Sequence, residues 1–489
     1  MAVSLVLDAL ATGDCGRPAL AAGAEALDRG ELAARAEHLA RGLHGENTPV
    51  AIALPNGVDW LAADLALQIV NRPAVPVPPW FGPAQFAHLV STAGIAAVIG
   101  HVAPAVAHGR ARRLGPGLGI WPLYGKAVPL PPGTAKITFT SGTTGAPKGV
   151  CLAQADMEGV AMSIAHIGHE IGVHRHLCLM PLAVLLENIG GAWAALLAGA
   201  ECLVPPLEGI GLGSAAGVDA ARLVNAIADL EPESLILVPG LLEALVDALE
   251  GGARMPATLR LVAVGGAPTP VSLLSRANRL GLPVYEGYGL SECASVVTLN
   301  RPGDNVPGTV GFPLPHVRVS LAADGEIFTD GPLMLGYAGD PARPGRPWAT
   351  GDLGRFDRDG RLRVVGRKRN VFITSMGRNL SPEWLEAELT ADGPVRDAVV
   401  FGDGLAAPVA VLTADAAAAA SVGPWVEAVN RRLPGHARIA RWVLADDVFT
   451  AASALCTPNG RPIRTAIWAR YGDALRASRN QHTETTEAT

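Results

Sequence analysis

The sequence predicts an α/β fold in two parts: a large N-terminal part of βαβ-rich sheets with an antiparallel portion, and a small α+β part at the C-terminal end. Three observations carry this expectation. The 489 residues far exceed the ~250 at which a single hydrophobic core stops growing. Helical patterns alternate with short apolar runs as far as about residue 300, which is the signature of βαβ units. Beyond Asn300 the apolar runs are separated by Gly, Pro and Asp, as in DGEIFTDG and DLGRFDRDGRLRVVGR, the punctuation of hairpins rather than crossovers.

Taken in order, ELAARAEHLARGL (31–43) has helical spacing, while VAIAL (50–54) and AAVIG (96–100) read as strands of a largely parallel sheet. TAKITFT, from 134, is a β-branched strand that delivers the turn-rich SGTTGAPKG. SLILVP (234–239) and LRLVAVGG (259–266) are further strands, with the helical LLEALVDALE (241–250) between them. GRKRN (366–370) concentrates charge ahead of FITSMGRNLSPEWLEAEL, where Ser381 is placed to cap a helix with Pro382 in its first turn. The expected boundaries are 1–368 for the large domain and 369–478 for the small one, with 479–489 as a polar, aperiodic tail.

Composition narrows the function. Apolar residues are 49% and charged residues 17%, as in a globular protein, and a net charge of -6 creates no field to gather nucleic acid. Six cysteines without a C-x-x-C pair read as isolated thiols, neither a zinc site nor a disulfide framework. The N-terminus lacks a basic segment ahead of an apolar run, and no long unbroken apolar stretch follows, so a cytoplasmic protein with no transmembrane segment is expected. Of 39 basic residues only Lys126, Lys136, Lys148 and Lys368 are lysine, which makes each lysine informative.

The chemistry concentrates in Thr140, Ser141, Gly142, Thr143, Thr144, Gly145, Ala146, Pro147, Lys148 and Gly149. Glycines let a backbone approach an anion, hydroxyls donate to phosphate oxygens or ligate a metal, and the lysine adds positive charge. Pro147 stands where a Walker A loop needs glycine, so this is a phosphate cradle of another kind.

This loop resembles the signature T-S-G-T-T-G-x-P-K-G of the adenylate-forming (AMP-binding) superfamily of acyl-CoA synthetases, nonribosomal adenylation domains and luciferases. Four further segments keep the superfamily's order: Gly265-Gly266-Ala267-Pro268, Tyr288-Gly289-Leu290-Ser291-Glu292, Thr350-Gly351-Asp352 and Gly366-Arg367. The style of YEGYGLSE and GRKRNVFITSMGRNLSP, with Glu187 after PLAVLL, is most similar to fatty acyl-CoA synthetases. The resemblance implies ATP-dependent activation of a hydrophobic carboxylic acid to acyl-AMP with pyrophosphate release. Transfer to the thiol of coenzyme A follows, or to a phosphopantetheinyl carrier protein as the alternative acceptor.

By the same resemblance, Thr140 to Lys148 hold the phosphates, Ser291 donates to the α-phosphate and Glu292 ligates Mg2+. Gly265, Gly266, Ala267 and Tyr288 with Gly289 bracket adenine; Asp352 and Arg367 reach the ribose; Val184, Glu187 and Gly287 belong to the acyl pocket. Arg369 occupies the hinge of a small mobile domain, and Lys148, Glu292 and Arg461 are the catalytic set.

Three departures stand out. Arg461, in Asn459-Gly460-Arg461, replaces the lysine that usually assists adenylation, and a planar guanidinium is no simple substitute for an ammonium. Either the geometry has adjusted, the reading adopted, or the first half-reaction is impaired and the chain is a nucleotide-binding pseudoenzyme. Val184 and Gln154 stand where histidines are common, which implies a wider or more apolar entrance. Among other constellations, His166, His169, His174 and His176 around Glu170 read as a solvated helix end or loop rather than a metal site. Gly289-Leu290-Ser291-Glu292-Cys293 approaches a serine-hydrolase elbow but lacks its final glycine.

Overall fold

The computed structural model describes residues 4–477 except 13, 46–47, 105–106, 108, 124, 141–146, 214–217, 341, 376–378, 392, 447–448, 450–452 and 457–461, and only the backbone of 373 and 379. These residues form two large sheets, of nine and eight strands, a four-stranded antiparallel sheet and a smaller C-terminal unit around three strands. The α/β expectation and its antiparallel portion hold.

The eight-stranded sheet is built outward from Val50–Ala53, with Ala74–Pro76 and Ala97–Gly100 parallel on either side. The expected helix begins at Arg29, two residues early, because Asp28 caps it: Glu31 N donates to Asp28 Oδ1 at 2.7 Å and Asp28 N donates to Glu31 Oε2 at 2.9 Å. The largely parallel reading of the first 130 residues needs correction at the sheet edge, where Arg112–Gly115 and Leu118–Pro122 form an antiparallel hairpin. Pro116-Gly117 makes that turn, with Gly117 at φ 68, a conformation costly for residues with a Cβ.

The nine-stranded sheet is parallel from Val284–Leu290 through Leu261–Val264, Ser234–Leu237, Arg175–Leu177 and Glu201–Leu203 to Pro18–Ala22. Its strands alternate. Leu177, Leu235, Leu237, Val262 and Val264 pack under the helices Ala220–Leu230, Pro239–Glu250 and Val271–Arg279. The opposite face, with Cys202 and Leu261, joins the core beneath the helix Gln154–Glu170 and the wide helical turn Leu186–Trp193. The eight-stranded sheet is tied to the helical layer by a buried cluster in which Lys136 Nζ lies 2.9 Å from Asp64 Oδ1, on the helix Val58–Ile69, and also meets Asn188, while Trp193 Nε1 donates to Asp64 Oδ2 at 3.0 Å.

From Phe372 onward the buried side chains form clusters of their own, between the strands Val395–Phe401, Val409–Ala414 and Arg441–Leu444 and the helices Pro382–Leu389, Ala419–Arg432 and Arg464–Ala477. Ser381 does precede the Pro382 helix but does not cap it. Its hydroxyl turns back to Val365 O at 2.9 Å, fastening this unit to the preceding strand Leu362–Arg367. Among the described residues no helix is long and apolar enough to cross a membrane.

Candidate active site

The parallel strands of the nine-stranded sheet release their loops at one end, where ligands gather in open α/β sheets. A cavity of about 1860 Å3 opens there and runs back between the sheet and the helical layer. Thr140 and Lys148 face each other in register across the antiparallel pair Thr134–Thr140 and Lys148–Ala153 and line its mouth. Lys148 Nζ lies 5.0 Å from the centre of the Tyr337 ring, and the Tyr337 hydroxyl donates to Glu292 Oε1 at 3.1 Å. Burial, with the Glu292 charge alongside, pushes the Tyr337 phenol up, so it remains a donor.

Close backbone approach shapes the next wall. Gly266 has φ 82, and a Cβ on Gly265 would sit 3.2 Å from Gly287 O. On Gly289 a Cβ would fall 1.7 Å from Ser295 O, which no side chain can accept. Tyr288 donates to Asp352 Oδ2 at 2.7 Å, and Arg367 Nε meets Asp352 Oδ1 at 2.8 Å. Asp352 is thereby drawn behind Tyr288 and Arg367, which themselves line the cavity.

Away from these polar groups the cavity becomes apolar. Ile236, Ala263 and Leu261 form its floor, and Ile164, Leu186, Gly190 and Ala194 its roof. The roof lies close because glycines allow it: a Cβ on Gly191 would meet Glu187 Oε1 at 2.2 Å and His176 Nε2 at 2.6 Å.

Comparison with known proteins agrees with this geometry. The model for AMP-binding enzymes matches residues 7–338, and that for the AMP-binding enzyme C-terminal domain matches 369–482. The chain belongs to the AMP-binding enzyme family. It is 29% identical over 353 residues to fadD11 of Mycobacterium tuberculosis, whose name carries a provisional fatty-acid–CoA ligase assignment; the match spans 59% of each chain. Long-chain-fatty-acid–CoA ligase 6 of Mus musculus is 25% identical over 483 residues, 77% of this chain and 68% of that one. In fold the chain resembles the anthranilate CoA ligase AuaEII, with a TM-score of 0.79 at 18% identity over 97% of this chain and 98% of that one.

Within this AMP-binding fold, Thr140, Lys148, Gly265, Gly266, Ala267, Gly287, Tyr288, Gly289, Ser291, Glu292, Val184, Arg367 and Arg369 all line the one cavity. Ser141, Gly142, Thr143, Thr144, Gly145 and Arg461 lie outside the described residues. Asp352 holds Tyr288 and Arg367 on its two carboxylate oxygens. One position differs from expectation. Glu187 is fully buried behind the wall, accepting from Met180 N at 2.9 Å and lying 3.0 Å from His176 Nε2.

The histidine reading divides. His166 pairs with Glu170 at 3.2 Å on an exposed helix end, as expected, whereas His176 is buried within the strand Arg175–Leu177. His176, Cys178 and Glu187 bring potential ligand atoms within 4.8 Å of one another, but burial holds the Cys178 thiol well above its ordinary pKa, which disfavours a thiolate ligand. Cys178 and Cys202 are not isolated thiols; adjacent strands bring their sulfurs to 3.6 Å. The hydrolase alternative loses its geometry, because Ser291 opens a three-residue turn that returns in the antiparallel strand Ser295–Leu299, not the helix an elbow requires. Tyr337 and Ser234 escaped sequence reasoning, since both act through partners remote in the chain.

Proposed function

We propose that the protein activates a hydrophobic carboxylic acid with ATP to give acyl-AMP and pyrophosphate, and then transfers the acyl group to the thiol of coenzyme A. The observation that carries this reading is the continuity of one cavity, from Lys148, Tyr337 and Glu292 at its mouth to an apolar arm under Gly190 and Gly191. A carboxylate attacking a phosphate brings two anions together, and Lys148 at the mouth supplies charge that offsets their repulsion. Mg2+ prefers hard oxygen ligands, and the Glu292 carboxylate, already accepting one hydrogen bond, offers such an oxygen. Bound there, the ion would neutralise phosphate charge.

In this reading Thr140 to Lys148 hold the phosphates, Ser291 donates to the α-phosphate, and Gly265 to Ala267 with Tyr288 flank adenine. Asp352 and Arg367 exchange part of their mutual pairing for ribose hydroxyls. The chain divides at about 369, Arg369 is the hinge, and Arg461 is the cation brought to the α-phosphate in the adenylating pose. The reaction is tested by incubating the protein with ATP, Mg2+, a hydrophobic acid and coenzyme A. AMP and acyl-CoA are expected together; AMP release with no acyl-CoA, but with loading of a phosphopantetheinyl carrier, would move the acceptor from coenzyme A to a carrier protein.

A further inference from the structure

Among the described residues the apolar arm of the cavity contains a polar station. Ser234 Oγ lies 2.9 Å from His176 Nδ1, and His176 Nε2 lies 3.0 Å from Glu187 Oε1. Ser234 and His176 are each 4% exposed and both line the cavity, whereas Glu187 is 0% exposed and does not. The station faces the arm because strand alternation puts Leu235 and Leu237 in the core on the other side of the sheet. It is also remote from Gly265 to Ala267, the segment that flanks adenine in the ligase reading. Ser234 begins the strand Ser234–Leu237, whose far end pairs with Val264, just before Gly265. Three residues of extended chain separate the two ends, ~10 Å.

We infer that the acid activated here carries a neutral hydrogen-bonding group, a hydroxyl in the first instance, at the end remote from its carboxyl, and that Ser234 receives it. This rests on the ligase reading above. With Glu187 accepting from Nε2, Nδ1 of a neutral His176 accepts the Ser234 proton, and Ser234 keeps lone pairs for a donor on the ligand. In a charged ring Nδ1 donates to Ser234 Oγ instead, and the Ser234 proton is free for an acceptor. A hydroxyl satisfies both states, since it donates and accepts. A second carboxylate, which only accepts, has no proton to give Ser234 in the neutral state and so satisfies just one of the two. A methyl terminus would cover Ser234 without using its remaining hydrogen-bonding capacity, a loss that buried polar sites convert into discrimination. Gly191 preserves the station, since any Cβ there would collide with both Glu187 and His176.

The test measures acid-dependent ATP/pyrophosphate exchange with straight-chain acids of graded length, each paired with its ω-hydroxy counterpart. The expected result is a length at which the hydroxy acid exceeds its methyl-ended partner in kcat/KM by roughly fivefold or more, with the ratio falling to about one in Ser234→Ala. Circular dichroism establishes that the variant is folded; if it is not, the wild-type ratios alone decide. Exchange that favours methyl-ended acids at every length, or a preference that survives Ser234→Ala, overturns this inference and leaves the ligase reading intact. Absence of exchange with every acid overturns the ligase reading and this one with it.

Discussion

Tyr337 donates its hydroxyl to Glu292, 45 residues earlier in the chain, and thereby joins the proposed magnesium ligand to the ring beneath Lys148. The two contacts separate what Tyr337 contributes. Glu292→Ala removes a charge that acts on the phosphates and is expected to slow ATP/pyrophosphate exchange about 100- to 1000-fold. Tyr337→Phe removes one hydrogen bond and keeps the ring, so its exchange rate is expected to fall only about fivefold. Tyr337→Ala also removes the face presented to Lys148 and is expected to lie between the two. Equal losses in Tyr337→Phe and Glu292→Ala would make the hydroxyl, rather than the carboxylate, the working group.

Lys136 and Asp64 form a buried ion pair whose stability effect is large when broken from one side. Asp64 is 0% exposed, and Lys136→Met would leave its carboxylate, among the described residues, with only Asn188 and Trp193 as donors. Urea unfolding is expected to show a loss of about 3–5 kcal/mol. The double variant Asp64→Leu/Lys136→Met removes both charges and is expected to recover most of it. A double variant as unstable as the single one would assign the loss to packing against Trp193 rather than to charge.

Glu286 gives the fold a pH dependence. Burial pushes its carboxyl up to about 7, outweighing hydrogen bonding from Thr269. The unfolded value is about 4.3, so the folded chain holds the extra proton between those values. Stability from this group is therefore greatest below about pH 4.3 and falls as pH rises towards 7, by of order 3 kcal/mol. Glu286→Gln keeps a neutral side chain at every pH and is expected to exceed the wild type in urea midpoint at pH 8 while nearing it at pH 5. A difference independent of pH would show that Glu286 is not the titrating group.

The legible part of this molecule lay where chemistry is local. A loop of glycines, hydroxyls and one lysine declares a phosphate site without any knowledge of its surroundings, and β-branched TAKITFT declares the strand that carries it. The helix at Arg29–Arg41 is legible from its apolar spacing, although its start is set by the Asp28–Glu31 capping box, which the spacing alone does not show. Ser381 shows the limit: the position was right, but a carbonyl on another strand, Val365 O, took the hydroxyl that a local rule assigns to the helix. His176 shows it more sharply. In sequence it falls in a histidine-rich stretch with His166, His169 and His174, while its neighbours in space are Ser234 and Glu187, supplied by a parallel strand and a helical layer that only tertiary packing brings together.

The central claim, that this chain joins a carboxylate to AMP, is tested most directly by ATP/pyrophosphate exchange over a panel of hydrophobic acids with Lys148→Ala and Arg461→Ala beside the wild type. Adenylate formation is reversible and needs no acceptor, so labelled pyrophosphate is expected to enter ATP only when a suitable acid is present. The rate should fall about 100- to 1000-fold in Lys148→Ala and fall strongly in Arg461→Ala. Acid-independent exchange, or none with any acid, would contradict the claim.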